Sequence, residues 1–363
     1  MKIILSVGAR PNFIKMAPLY FELIKKKNIE SVIVHTGQHY DYRMSQAFFE
    51  NLDLPNPHYF LGVKTGTHIE QTAKIMIEFE KVLLKENPDL VITFGDVNST
   101  LACSVVPKKL FIPLAHVEAG LRSFDISMPE ETNRKLTDSM ADFLFTPSVD
   151  ANENLAKEGI KDSKVHFVGN IMIDSLVEAI SRLDKCHEDQ TLKKFNLQKK
   201  RYALVTFHRP SNVDNKDTLE VILKFLNYLS RETPIIFPMH PRTRKNICEF
   251  GIDIKFGTNF NIIEPMKYKE FILLEKNASF VLTDSGGIQE ETTYLNTPCL
   301  TVRSNTERPI TIMDGTNELV HIGNISEKID QILSGKWKQG KIPELWDGKT
   351  AERIVSRITN FRN

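Results

Sequence analysis

Cysteine is sparse in this 363-residue chain: Cys103, Cys186, Cys248 and Cys299 stand far apart, with no pair at metal-ligand or redox-motif spacing. Neither a zinc module nor a disulfide scaffold is therefore expected, and a reducing, cytoplasmic setting is. An excess of either charge is also lacking, because 47 Lys and Arg face 46 Asp and Glu for a net charge of +1. That balance removes the electrostatic footprint of a dedicated nucleic-acid binder. No uncharged apolar run reaches the ~18 residues a membrane span needs. The run after Lys2, IILSVG, is too short for the core of a signal peptide. Neither nucleic acid nor membrane is an expected partner. Two nucleotide-binding signatures are missing as well. Gly8-Ala9-Arg10 does not continue into Gly-x-Gly-x-x-Gly, and no Gly-x-x-x-x-Gly-Lys-Ser/Thr occurs, which disfavours a dinucleotide dehydrogenase and a P-loop ATPase.

What the chain has is alternation. Apolar, β-branched or aromatic runs at Lys2–Val7, Ser31–Thr36, Asp89–Phe94, Ile112–Val117 and Phe143–Thr146 read as strands covered on both faces. Between them lie helical patterns at Asn12–Lys27, His68–Glu86, Ser99–Leu110 and Glu130–Ala141. In the second of these, Ile69, Ala73, Met76, Ile77 and Val82–Leu84 are expected on the core face. The alternation restarts after about residue 170. Strands are expected at Ala203–Phe207, Ile235–Met239, Asn261–Glu264, Phe280–Thr283 and Cys299–Val302. Helices are expected at Asp217–Arg231, Tyr268–Lys276, Gly287–Leu295 and Ser326–Leu333. Strand–helix alternation implies parallel sheets with crossover helices. The expected fold class is α/β, with two doubly wound domains and a cleft between them. The junction falls around Asn170–Leu183, followed by the charged stretch Asp184–Arg201.

Ligands in such folds sit beyond the carboxyl ends of the strands, and those ends are unusually polar here. Gly8-Ala9-Arg10-Pro11 with Lys15, Gly37-Gln38-His39, Gly95-Asp96 and His116-Val117-Glu118-Ala119-Gly120-Leu121-Arg122 follow the first four strands. His208-Arg209, His240 and Asp284-Ser285-Gly286-Gly287 follow strands of the second half. Ser285-Gly286-Gly287, between a strand and a helix, offers backbone N–H groups to a phosphate. Glu291, one turn further on, suits sugar hydroxyls. Arg10, Lys15 and Arg308 can neutralise charge. Asp96, Glu118, Glu130 and Glu131 can divide acid and base roles or bind a divalent metal. The histidines His116, His208 and His240 have no zinc-ligand spacing.

These motifs, with Pro129-Glu130-Glu131-x-Asn133-Arg134, Asp284-Ser285-Gly286-Gly287-Ile288-Gln289-Glu290-Glu291 and Thr306-Glu307-Arg308-Pro309, make the chain resemble the non-hydrolysing UDP-N-acetylglucosamine 2-epimerases. The matches run in order from residue 8 to residue 309. The resemblance implies two Rossmann-like domains of the GT-B type. The first would be 1–170 with a C-terminal helix at about 350–363, and the second, UDP-binding domain 171–349. It implies inversion at C2 of UDP-N-acetylglucosamine to UDP-N-acetylmannosamine, for cell-surface polysaccharide precursors, by a cytoplasmic homodimer without cofactor or metal.

The C2 proton is barely acidic, so the C1–O bond must break first. UDP leaves, a carboxylate takes the C2 proton to give 2-acetamidoglucal, and re-addition after protonation from the other face gives the epimer. By resemblance, Asp96, Glu118, Glu130 and His208 are the catalytic set. Arg10, Lys15, Ser285, Gly286, Gly287, Glu291 and Arg308 are the UDP-sugar contacts, joined by the uracil loop from Pro265-Met266 to Phe271. Gln38, His39 and Arg209 match an activator site for a second UDP-GlcNAc. Two departures stand out. His208-Arg209-Pro210-Ser211-Asn212 replaces the family's His-Arg-Arg-Glu-Asn, and the segment between Glu118 and Pro129 is short. Alternatives are a 2-epimerase of a UDP-2,3-diacetamido sugar, a hydrolysing epimerase, a GT-B glycosyltransferase, a nucleotide-sugar sensor and, as an outsider, a metallohydrolase.

Overall fold

The computed structural model describes residues 1–38, 49, 52–63 and 66–360. The chain divides into two compact units, Met1–Val177 with Glu344–Asn363, and Glu178–Pro343. The division falls within the helix Ile171–Ser181.

The first unit carries a parallel sheet of β1 (Lys2–Val7), β2 (Glu30–His35), β3 (Tyr59–Phe60), β4 (Leu90–Phe94), β5 (Leu114–Val117), β6 (Phe143–Thr146) and β7 (Val165–Phe167). Their order is β3-β2-β1-β4-β5-β6-β7. The near-continuous apolar runs have a direct physical cause, since alternate residues of one strand enter different cores. Ile3, Leu5 and Val7 pack in one cluster with Leu90, Ile92 and Phe94. Ile4 and Val91 point the other way, into a cluster with Phe79, Val82 and Leu83. The helix Thr350–Asn360 places Ala351, Ile354, Val355 and Ile358 in the first of these cores. Asp174 holds its start, accepting from the N–H groups of Thr350 (3.1 Å) and Ala351 (2.7 Å).

The second unit carries β8 (Ala203–Thr206), β9 (Ile235–Pro238), β10 (Phe260–Ile263), β11 (Phe280–Thr283), β12 (Cys299–Val302) and β13 (Asn317–Val320). They are ordered β10-β9-β8-β11-β12-β13, and the paired strands are parallel. Ala203 and Val205 face one core while Tyr202 and Leu204 face another. In both sheets the order reverses direction at one place, between β1 and β4 and between β8 and β11. At such a point the neighbouring crossovers diverge to opposite sides and open a crevice above the strand ends.

The helix His68–Glu86 has the expected span, and its core face keeps the expected Val82 and Leu83, with Met76 packed beside them, but not Ile69, Ala73, Ile77 or Leu84. Its buried residues are Gln71, Ile75, Phe79, Val82 and Leu83, whereas Ile69 is 79%, Ile77 56% and Leu84 67% exposed. The sequence offers two overlapping apolar stripes there, and packing on the sheet selects the one through Ile75 and Phe79. β3 is only two residues long, and β7 and β13 are interrupted by His166 and by Asn317-Glu318, which is why the pattern passes over them. The charged stretch after the junction contains the helix Lys185–Lys194, capped by Asp184, which accepts from the His187 N–H at 2.8 Å. Among the described residues no helix is long and apolar enough to cross a membrane.

Candidate active site

In the first unit the polar groups gather at the strand ends around the β1/β4 reversal. Lys15, one turn into the helix Arg10–Ile24, forms a buried ion pair with Glu118. Glu118 has φ +75°, a conformation that few side chains larger than Gly adopt. Its strain is held in place because the N–H groups of Glu118 (3.1 Å) and Ala119 (3.0 Å) both donate to the Phe145 carbonyl. Gly95 is required beside this pair. Its φ is +66°, and a Cβ there would lie 3.2 Å from Lys15 Nζ and 3.4 Å from Glu118 Oε2.

Asp96 follows Gly95, with a side chain about one-third exposed, and meets Arg134 Nη2 at 2.5 Å. Asn133 donates to the Asp96 carbonyl at 2.9 Å. Glu130 stands half-buried in the first turn of the helix Pro129–Met140, on the side of Asn133 and Arg134. Glu131, by contrast, is fully occupied within the protein. It accepts from the Ser123 N–H (2.8 Å), the Ser123 hydroxyl (2.7 Å) and the Phe124 N–H (3.2 Å), and pairs with Arg134. Burial alone would raise its carboxyl pKa, but these donors hold it below the ordinary value. The loop after Glu118 is thus fastened to the helix that follows.

His116 is buried, with Nδ1 2.6 Å from Asp138 and Nε2 2.8 Å from the Gly95 carbonyl. Both ring nitrogens are therefore engaged, one by a side chain and one by the backbone. Asp138 also meets Arg122 Nη1 at 2.7 Å and the Gly120 N–H at 3.1 Å. Burial opposes the charge of Asp138, yet His116 and Arg122 keep its pKa below the ordinary value. His116 is thereby a buttress for the Gly95 turn. Gln38 accepts from the Ser99 N–H (3.0 Å) and hydroxyl (2.6 Å). His39 and the side chain of Arg10 lie outside the described residues and atoms.

In the second unit the register sets Thr206 of β8 against Thr283 of β11, with their hydroxyls 2.7 Å apart. The residues just past them are therefore brought together. Asp284, fully buried, accepts from the N–H groups of His208 (3.0 Å) and Arg209 (2.9 Å) and from Asn212 Nδ2 (3.1 Å). Its Oδ1 lies 3.0 Å from His208 Nδ1, while the His208 side chain stays 40% exposed. Burial would push the Asp284 carboxyl up, but His208 and the N–H donors hold it below its usual value. The imidazole is thus oriented through Nδ1, and Nε2 remains for a ligand. The His240 ring sits 5.4 Å from that of His208, centroid to centroid.

Ser285 N-caps the helix Gly286–Leu295 without bonding its own hydroxyl to the first turn. The N–H groups of Gly286, Gly287 and Ile288 have no acceptor within the helix. Arg308 packs against Gly286, its Nε 2.9 Å from Glu290 and its Nη1 3.3 Å from Glu307. Glu307 is gripped by Arg303 at 2.8 and 2.9 Å, and Arg209 lies 3.7 Å away. Burial opposes its ionisation, but these guanidinium groups hold it far below the usual carboxylate range. The result is a cation-rich rim beside a helix N-terminus. Glu291, 4% exposed, accepts from the Tyr268 hydroxyl at 2.7 Å, and burial pushes its pKa up to about 7. Phe271 and Met266 are half-buried against the core that holds Ile288.

Several of these partners carried no role in the sequence pattern. Tyr268, Asp138 and Asp284 are the main ones. Glu131, Arg134 and Asp138 were legible in principle, since their spacing of three and four puts them on one helical face.

A family model described as UDP-N-acetylglucosamine 2-epimerase matches residues 22–359. The chain is 45% identical over 366 residues to the UDP-N-acetylglucosamine 2-epimerase of Methanocaldococcus jannaschii, covering 99% of each chain. It is 40% identical over 327 residues to the UDP-2,3-diacetamido-2,3-dideoxy-D-glucuronate 2-epimerase of Pseudomonas aeruginosa, covering 88% of each. The crystal structure of the M. jannaschii UDP-GlcNAc 2-epimerase in complex with UDP-GlcNAc and UDP matches with a TM-score of 0.87 at 44% identity, over 99% of this chain and 100% of that one. The two parallel-sheet units are accordingly Rossmann-like domains of the GT-B class. With a family match over nearly its whole length and these identities, the chain belongs to the UDP-N-acetylglucosamine 2-epimerase family.

Proposed function

We propose that this chain is a non-hydrolysing 2-epimerase of a UDP-amino sugar, with UDP-N-acetylglucosamine as the substrate. The observation that carries the reading is the arrangement above Ser285-Gly286-Gly287. A helix N-terminus, Arg308 and an oriented His208 surround one small region of the second unit. Such a region suits a diphosphate that must be held and then released. Glu291 faces the ribose hydroxyls, and the loop Pro265 to Phe271 takes the uracil.

The first unit supplies the proton chemistry. Breaking the C1–O bond sends its electron pair to the departing UDP, and His208 assists by hydrogen bonding to the diphosphate. The C2 proton passes to a carboxylate, leaving 2-acetamidoglucal. A second acid protonates C2 on the opposite face, and UDP returns to C1. Asp96, Glu118 and Glu130 are the acids for these two transfers. Lys15 pairs with Glu118 and Arg134 with Asp96, which fixes where these two carboxylates point. The diphosphate is proposed to be held without a metal, its charge met by the Arg308 guanidinium and by hydrogen bonds from backbone N–H groups at the helix N-terminus. The working protein is proposed to be a homodimer in the cytoplasm.

The test is incubation with UDP-N-acetylglucosamine in D2O, followed by proton NMR. Solvent deuterium at C2 and a UDP-ManNAc signal are expected. Absence of both refutes the reading. Accumulation of free ManNAc with UDP identifies a hydrolysing enzyme. The likeness to the P. aeruginosa 2-epimerase motivates a second reading, a UDP-2,3-diacetamido sugar as substrate. Faster exchange with that sugar than with UDP-GlcNAc would select it.

A further inference from the structure

Next to Glu291 lies another acid that no step above uses. Glu275, on the helix Tyr268–Asn277, is 0% exposed. Neither of its carboxylate oxygens has a hydrogen-bond partner among the described residues. The titratable and charged groups around the two acids are Tyr268 on the helix of Glu275, Glu290 on the helix of Glu291, and Cys299 on β12, with Lys338 beyond Cys299. The nearby guanidinium, Arg308, is spent on Glu290 and Glu307. Glu291 has the Tyr268 hydroxyl, whereas Glu275 has nothing to offset a charge.

An ionised carboxylate buried without a partner is strongly disfavoured, and a like charge beside it makes this worse. The pair can therefore hold one negative charge, and the hydrogen-bonded Glu291 is the member suited to it. We propose that Glu275 is a buried carboxylic acid kept protonated by its lack of partners, and that its neutrality leaves Glu291 as the single anion that accepts the ribose hydroxyls. This rests on the reading that Glu291 takes the ribose. Burial pushes the Glu275 pKa well above its ordinary value, with Glu291 adding to it, in the same direction as the geometry.

The consequence is a nucleotide affinity that rises as Glu291 loses its proton and falls again when Glu275 does. The fall is at most about tenfold per pH unit for one linked proton. Calorimetric titration with UDP from mildly acidic to alkaline pH tests this in the full chain. The ligand's own ionisation is common to all variants and cancels in their ratio. Glu275→Gln and the volume-matched Glu275→Met should both flatten the alkaline fall. The infrared carbonyl band of protonated carboxylic acids, present in the wild type at neutral pH, should lose the Glu275 contribution in both. An alkaline fall as steep in both variants as in the wild type, or a carbonyl band unchanged by them, overturns the proposal. Glu291→Ala separates the two claims. If it leaves UDP affinity intact, the ribose reading itself fails, whatever the Glu275 variants do.

Discussion

Replacing Gly286 by Ala would place a methyl carbon 2.7 Å from Arg308 Nη1 and 3.2 Å from its Cζ. Ordinary contacts of this kind sit at about 3.5 Å, so the guanidinium must retreat by roughly 0.5–1 Å. The backbone itself has no objection, because Gly286 is absent from the residues with positive φ. Alanine is also the better helix former, and the atom displaced is the end of a flexible side chain. Stability should therefore change by less than about 1 kcal/mol. The cation, however, moves off its seat beside the helix N-terminus, where its Nε meets Glu290 at 2.9 Å. A charge-assisted hydrogen bond is worth about 1.5–3 kcal/mol, so UDP affinity should fall about 10- to 150-fold. Calorimetric titration with UDP reads the affinity, and a melting curve reads the fold. In an Arg308→Ala background the Gly286→Ala change should add little further loss. Unchanged affinity in the single variant, or an equal loss in both backgrounds, would show that Gly286 does not act by making room for Arg308.

Asp96→Asn keeps a hydrogen bond to Arg134 but cannot take a proton, so solvent deuterium at C2 should disappear while UDP affinity stays within about twofold; exchange at the wild-type rate removes Asp96 from the mechanism. Asp284→Asn should cost about 2–4 kcal/mol in urea unfolding of the second unit, because the amide cannot accept from all the donors now aimed at that carboxylate. Its folded pKa is depressed, so this stabilisation is full above the ordinary 3.8 and is lost as pH falls through the folded value. A wild-type minus Asp284→Asn difference that does not shrink in acid contradicts this. Asp174 has the opposite sign: burial raises its folded pKa to about 6 from 3.8, so its contribution is full below 3.8 and is lost as pH rises through about 6. Asp174→Asn should remove up to about 3 kcal/mol of that pH dependence, read as hydrogen exchange of the helix Thr350–Asn360; an unaltered slope would exclude Asp174 as its source.

The strands most legible in the sequence were those covered on both faces. Phe143–Thr146, Phe280–Thr283 and Cys299–Val302 appear with the expected bounds, because a strand between two cores must be apolar at successive positions. The edge strand β3 and the strand β13, Asn317–Val320 with two half-buried central residues, leave no such mark. The face of the helix His68–Glu86 is only partly legible in the sequence, for a related reason: Val82 and Leu83 are in the core as expected, while Ile69, Ile77 and Leu84 are exposed. A pattern with Ile69, Ile75, Ile77, Phe79 and Leu84 suits more than one orientation, and contact with Val34 and Val91 chooses. Among the candidate site residues, the strand-end positions of Asp96, His208 and Ser285 were readable from the alternation. Their partners were not, since Arg134 lies 38 residues from Asp96 and Asp284 lies 76 from His208.

By itself, then, the amino-acid order determined two series of buried strands and the polar residues that end them. Hydrophobic periodicity is local, and a run of a few residues carries it whole. Only the folded chain decided which acids are charged. Arg303 and Arg308 make Glu307 a firm anion, and Glu275 is left with no hydrogen-bond partner among the described residues. Ionisation depends on burial and on groups distant in sequence, and both are set when the helices close over the sheets.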